Sequence, residues 1–170
     1  MKTFYSADHL LRQPEVELHN GQLVPPFECP QRLDYILQAL SDRGMSQLVE
    51  PTRYDLATAA KVHSRDYLDF LASAWQRWQD QGYSGQLIPN IWPARRMRSD
   101  PVPQHIAAQL GYYALASDSA ITEGTWQAAL SAKDLAISGM DCLLQGEHSA
   151  FALCRPPGHH AACDRFGGYC

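Results

Sequence analysis

The residues with the clearest capacity for chemistry stand together near residue 160. They are His159 and His160, framed by Arg155-Pro156-Pro157-Gly158 before them and Asp164 and Gly167-Gly168-Tyr169-Cys170 after them. Two adjacent imidazoles can take and return protons near neutral pH. The prolines lack the N–H donors that would let this loop join a sheet, and the paired glycines permit a close or left-handed backbone path beside the histidines. Four uses remain open. The pair can be ordinary loop histidines, one buried and one exposed. It can bind metal, either directly or as part of a Cys₃His site with Cys154, Cys163 and Cys170, although C-x₄-H-H-x₂-C-x₆-C matches no common zinc module. A histidine can serve a Cys163 nucleophile. Or the pair can act as acid and base on a water whose metal is held elsewhere.

The elements that must position these residues begin with the short apolar run Ser149 to Leu153, which reads as a buried strand leading directly into the turn. Open α/β folds keep their ligands at the carboxyl ends of such strands. A long helix is expected before it, from a Thr125 cap to about Leu144. Its small positions Ala128, Ala129, Ala132, Ala136 and Gly139 suit close packing on a sheet, and Gly146 ends it. Further upstream, Thr3-Phe4-Tyr5 reads as the first strand and Leu48-Val49 as the second. Between them Asp8 to Pro26 reads as a solvated loop around the turn dipeptide Asn20-Gly21. Pro30 opens a helix with the stripe Leu33, Ile36, Leu37 and Leu40, capped near Gly44. Leu56 to Val62 is a short helical run. Ser64 reads as the N-cap of a helix from Asp66 to about Gln79, with Tyr67, Leu68, Leu71, Trp75 and Trp78 along one side. Strand and helix alternate, so the expected class is α/β with parallel strands.

Residues 82–103 break the pattern, with Pro89, Pro93, Pro101 and Pro103 and with Arg95, Arg96 and Arg98 between them. A loop of this length inside a domain is usually functional or part of an interface. Because Leu87, Ile88, Ile91 and Trp92 lie within it, an arm packing on another subunit is expected.

Composition bounds the function. The chain has 170 residues, 45% of them hydrophobic and 19% charged, which suits one globular domain with a core. No apolar run approaches the ~20 residues of a membrane span, and no membrane partner is expected. A net charge of −4 disfavours nucleic acid as a partner and is compatible with a cationic small molecule. Five cysteines without a C-x-x-C pair indicate reduced thiols and a cytoplasmic location.

The segment Leu153-Cys154-Arg155-Pro156-Pro157-Gly158-His159-His160-Ala161, continued by Asp164 and Gly167-Gly168-Tyr169-Cys170, resembles the histone deacetylase superfamily, in its bacterial acetylpolyamine amidohydrolase branch. Tyr5-Ser6-Ala7-Asp8-His9, Glu17-Leu18, Gly21 to Glu28, Val62-His63, Ala74-Trp75, Gly111-Tyr112-Tyr113 and Gly124 to Ala129 carry the same resemblance. It implies an arginase/deacetylase-like three-layer α/β fold with a parallel central sheet, of which residues 1–170 are the N-terminal portion of a single domain. It implies zinc-dependent hydrolysis of acetylated amines, with His159 as proton acceptor and His160 as electrostatic support or general acid. The Gly168 carbonyl is expected to contact the substrate amide and Tyr169 to line the substrate tunnel. Glu17 is expected near the tunnel mouth, facing a distant ammonium, and residues 82–103 as a dimerisation arm.

The family's Asp-x-His metal motif, its second Asp ligand and its transition-state Tyr all match positions after Cys170, so no zinc is expected to be held by this chain alone. The expected partner is then the missing C-terminal half. Ala107 and Ala108 stand where the branch carries an acid, which leaves acetyl-lysine proteins open as an alternative substrate class. An inactive fragment is the further alternative.

Overall fold

The computed structural model describes residues 1–45 and 47–170. In chain order the elements are strand β1 (Lys2–Phe4), a 3-10 turn (Ala7–Leu11), β2 (Glu17–His19), β3 (Gln22–Val24), helix α1 (Gln31–Ser41), β4 (Leu48–Val49), a second 3-10 turn (Leu56–Lys61), α2 (Arg65–Asp80), α3 (Ile106–Tyr112), α4 (Thr125–Leu144) and β5 (Ala150–Ala152). They form two compact units. One comprises Met1–Gln13, Glu28–Leu56 and Gly124–Pro157; the other comprises Pro14–Phe27, Ala57–Glu123 and Gly158–Cys170.

The first unit is built on a three-stranded parallel sheet in the order β4-β1-β5. Thr3 pairs with Leu48 on one side and Phe151 on the other. Parallel neighbours require crossovers rather than tight turns, and the segments carrying α1 and α4 supply them. Helix α4 buries Ala128, Ala132, Leu135, Gly139 and Cys142. A Cβ at Gly139 would lie 3.7 Å from Ala152 and 3.9 Å from both Ala150 and Phe4, so the small-residue face rests on the strands, as expected. The helix begins one residue earlier than the sequence suggests. Gly124 is the N-cap and Thr125 the first helical residue. A Cβ at residue 124 would meet the Leu11 carbonyl oxygen at 2.2 Å, so the capping position is held by backbone proximity.

The polar side of α4 receives the segment after β4. Ser138 Oγ accepts from Thr52 N (2.9 Å), Asp134 from Tyr54 N (3.2 Å), and Asp141 from the Tyr54 hydroxyl (2.5 Å). In α1, Leu33 is buried while Ile36, Leu37 and Leu40 are half-buried.

Arg155, which follows β5, is fully buried. Its Nη1 donates to the carbonyls of His9 and Arg12, and Glu28 is shared among Arg155, Arg12 and Arg32. The guanidiniums thereby fasten the end of β5 to the 3-10 turn and to the start of α1.

In the second unit the expected loop between Asp8 and Pro26 proves to contain an antiparallel hairpin, β2 with β3. Its turn holds Asn20 at φ 49° and Gly21 at φ 80°, two successive positive values that match the right-handed twist of a hairpin. The core is aromatic. Tyr67, Phe70 and Ala74 of α2 pack with Ile106, Leu110 and Tyr113, with Leu87 and Ile121, and with Phe166. Leu71, Trp75 and Trp78 lean on that cluster from its margin. Ser64 occupies the N-cap position of α2 but makes no capping bond through its side chain.

Residues 82–103 contain no helix, and Leu87 forms a bridge with Ile121. Leu87 and Pro89 are buried, whereas Ile91, Trp92 and Met97 are 62%, 40% and 65% exposed. The segment therefore splits. Its first part belongs to this unit's core and its second part presents apolar side chains outward. At the crossing over α3, a Cβ on Gly111 would come within 1.5 Å of the Ile91 carbonyl oxygen. Only glycine allows that approach.

Candidate active site

The site lies in the second unit and is held by backbone. Phe166 is buried, donates its N–H to the Tyr113 carbonyl (2.9 Å) and accepts from Leu115 (2.8 Å). Ser64 N–H reaches the Cys163 carbonyl at 2.8 Å, and His63 Nδ1 lies 2.9 Å from the Ala162 carbonyl. Residues 162–166 are thus fixed from the α2 and α3 sides, and the histidines are carried on the preceding turn.

His159 and His160 are both exposed, with ring centroids 4.2 Å apart and planes inclined by 55°. The His160 N–H donates to Cys170 Sγ at 3.2 Å. Gly167 and Cys170 exchange two backbone hydrogen bonds, of 2.9 and 3.1 Å, closing a tight loop around Gly168 and Tyr169. Both enclosed residues have left-handed backbone, Gly168 at φ 60° and Tyr169 at φ 65°. A Cβ at Gly168 would stand 2.8 Å from His160 Cδ2, so the backbone there lies flat against the imidazole. For a tyrosine to remain left-handed, its surroundings must hold it.

Those surroundings are visible. The Tyr169 N–H donates to Ser119 Oγ at 2.6 Å, and the neighbouring Gly168 N–H to Asp118 Oδ1 at 2.9 Å. Ser119 in turn donates its hydroxyl proton to the same Asp118 oxygen, at 2.8 Å. At the far end the Tyr169 hydroxyl donates to Glu17 Oε1 (3.0 Å), while Glu17 Oε2 accepts from Phe27 N (3.0 Å). Glu17 is 3% exposed, so this carboxylate is a buried anchor for the tyrosine. All five residues singled out from the sequence, Glu17, His159, His160, Gly168 and Tyr169, are brought together by these contacts. Asp118 and Ser119 join them without having been anticipated. The polar run Ser117-Asp118-Ser119 looks like an ordinary loop, and its partners are 50 positions away. The available signal was the glycine pair itself, since a left-handed stretch exposes successive N–H groups that need acceptors.

Burial raises the hydroxyl pKa of Tyr67 and Tyr113 well above the usual phenol range. The Asp66 carboxylate, which accepts from Tyr113 at 2.9 Å, adds to the shift at Tyr113. The five cysteines are free. Burial also raises the Cys154 pKa, which makes it a poor source of thiolate. Cys163 Sγ lies 3.7 Å from Asp164 Oδ1. Among the described residues no group of three His, Cys, Asp or Glu side chains could hold a metal ion. A Cys₃His zinc site among the described residues is therefore set aside, and those residues do not make a ligand set for zinc. What remains is a pair of exposed imidazoles against a rigid, left-handed wall, suited to proton transfer and to orienting a bound group.

Known proteins resemble the chain in sequence and in fold. A 49% identical relative over the whole chain is the acetylpolyamine amidohydrolase of Mycoplana ramosa, and a 42% identical one is acetylpolyamine amidohydrolase 1 of Pseudomonas aeruginosa. The chain spans about half the length of these relatives, 50% and 49%. The crystal structure of acetylpolyamine aminohydrolase from Burkholderia pseudomallei superposes on the whole chain with a TM-score of 0.90 at 29% identity, over 49% of that protein. The parallel sheet with its helices is accordingly the α/β deacetylase fold. The histone deacetylase domain model matches residues 26–170, and the chain belongs to that family.

Proposed function

We propose that this chain is the histidine-bearing N-terminal part of a zinc-dependent amidohydrolase that removes acetyl groups from acylated amines, acetylpolyamines first among them. The observation that carries the reading is the His159–His160 pair, its rings 4.2 Å apart, with His160 set against Gly168. Family membership and the names of the two relatives support it.

In this reading His159 takes the proton from the attacking water and returns it to the leaving amine. His160, packed on Gly168, supports the charge that develops beside it. The Gly168 carbonyl accepts from the N–H of the scissile amide. Tyr169, pinned by Glu17, forms the wall along which the amine lies. The charge of Glu17 favours a cationic amine through the field behind that wall rather than by direct contact. Because the described residues do not make a zinc ligand set, those ligands are sought outside them. The chemistry assigned to this chain is therefore proton transfer and positioning alone.

A homodimer formed through the exposed part of residues 82–103 belongs to the same proposal, as does a cytoplasmic location. The first rests on the outward Ile91, Trp92 and Met97. The second rests on five free cysteines, and no helix among the described residues is long and apolar enough to cross a membrane.

The test is acetate release by the natively expressed protein from acetylputrescine and from an acetyl-lysine peptide, with elemental analysis for zinc. Turnover of acetylputrescine with bound zinc is expected. Preference for the peptide would shift the substrate class to acetyl-lysine proteins. Absence of both turnovers and of metal would leave the inactive-fragment alternative and defeat the proposal.

A further inference from the structure

We infer that Ser119 is a positioning residue for amide recognition: it sets the direction of the Gly168 carbonyl. This rests on the deacetylase reading above, in which that carbonyl accepts the substrate N–H.

One peptide plane governs the direction of that carbonyl. The bond joining Gly168 to Tyr169 is trans, so its carbonyl and its N–H point in opposite directions. The N–H of Tyr169 donates to Ser119 Oγ at 2.6 Å. The Gly168 carbonyl consequently points away from Ser119. A backbone with two successive left-handed residues has no strong preference of its own for this orientation, and for Tyr169 at φ 65° the local preference runs against it.

Ser119 is itself immobilised. It is 4% exposed, and its only hydroxyl proton goes to Asp118 Oδ1 at 2.8 Å, which leaves its lone pairs for the Tyr169 N–H. The same Asp118 oxygen accepts from the Gly168 N–H at 2.9 Å. Two consecutive peptide planes are therefore clamped from one side by a carboxylate and a hydroxyl that also hold each other. Hydrogen bonds in such a chain polarise one another. Donation from Tyr169 N–H through Ser119 to a carboxylate withdraws positive charge from the amide and makes the Gly168 oxygen a better acceptor. Ser119 thus fixes both where that oxygen points and how strongly it binds an N–H.

The signature is selective for amides. An acetate ester of the same amine skeleton carries no N–H and loses nothing when the carbonyl is misdirected. In the natively expressed protein, Ser119→Ala should lower the ratio of kcat/KM for the N-acetyl amine to kcat/KM for its O-acetyl counterpart by about tenfold, the equivalent of one ordinary hydrogen bond. Ser119→Thr, which keeps the hydroxyl, should restore most of the ratio. Ser119→Cys, of nearly the same size but a weak acceptor, should fall between and serves if the alanine variant does not fold. Amide hydrogen exchange at Tyr169 should accelerate in Ser119→Ala. An equal loss for both substrates, an unchanged ratio, or unchanged protection at Tyr169 would overturn the inference while leaving the deacetylase reading in place. A wild-type protein that hydrolyses neither substrate removes the reading and this inference with it.

Discussion

At residue 168 any side chain would have to displace the His160 ring. The added Cβ stands 2.8 Å from Cδ2 and 3.0 Å from Cγ, and the backbone sits at φ 60°. Both terms act on Gly168→Ala. The left-handed conformation costs a non-glycine residue about 1–2 kcal/mol, and the contact pushes the imidazole out of register with His159. The expected outcome is a lower melting temperature together with at least a tenfold fall in kcat/KM. A variant with wild-type kcat/KM would separate the loop from the chemistry. At this scale the sequence was readable where one residue type excludes others. The adjacent histidines, the proline frame and the glycine pair all announced themselves, because proton transfer and left-handed backbone have few alternatives. Asp118 and Ser119 did not. An acid and a hydroxyl in a polar loop are compatible with almost any surrounding, and only the fold reveals that they face Gly168 and Tyr169.

The elements that carry these residues obey packing more than local preference. In the segment 82–103, Leu87 is 0% exposed whereas Ile91 is 62% exposed, and the two differ little in intrinsic character. Leu87→Ala should destabilise the protein by about 2–5 kcal/mol in denaturant titrations. Ile91→Asp should leave folding intact and lower the apparent mass in light scattering, from dimer to monomer. A protein that is monomeric before substitution would contradict the proposed arm.

The 3-10 turn Ala7–Leu11 gives a pH-dependent prediction. His9 is 2% exposed, and its Nδ1 has no hydrogen-bond partner among the described residues. Burial and the Arg155 charge lower its pKa below 6.5. The unfolded chain therefore binds the proton more readily than the folded one, so stability falls as pH drops below about 6.5 toward the depressed value. Urea midpoints at pH 7.5 and 5.5 should differ more for the wild type than for His9→Gln; equal differences would show that His9 carries no such linkage.

The hairpin β2–β3 shows why part of the fold escaped the sequence. Each strand has only three residues, too few for a period-2 pattern to stand out. The Asn20-Gly21 turn was visible, but the pairing that buries Glu17 was not. The long helix α4 was legible because its small-residue face repeats over enough turns to define a period. The strand β5, itself only three residues long and half-buried rather than buried, was legible from the unbroken apolar run that leads into the Pro-Pro-Gly turn.

For the whole molecule, the proposed cationic amine substrate is consistent with a net charge of −4 and with the Glu17 carboxylate bonded to the Tyr169 hydroxyl. The parallel sheet β4-β1-β5 and the aromatic core around Tyr113 and Phe166 each complete a unit, and the histidine turn follows directly after β5 in the chain. In the proposed function His159 moves the proton in amide hydrolysis. The most direct measurement is the rate of acetate release from acetylputrescine by the natively expressed protein and by its His159→Ala variant, alongside substrate affinity by calorimetry. His159→Ala should lower kcat by about 10²–10⁴-fold with affinity retained. Full turnover by His159→Ala would contradict it.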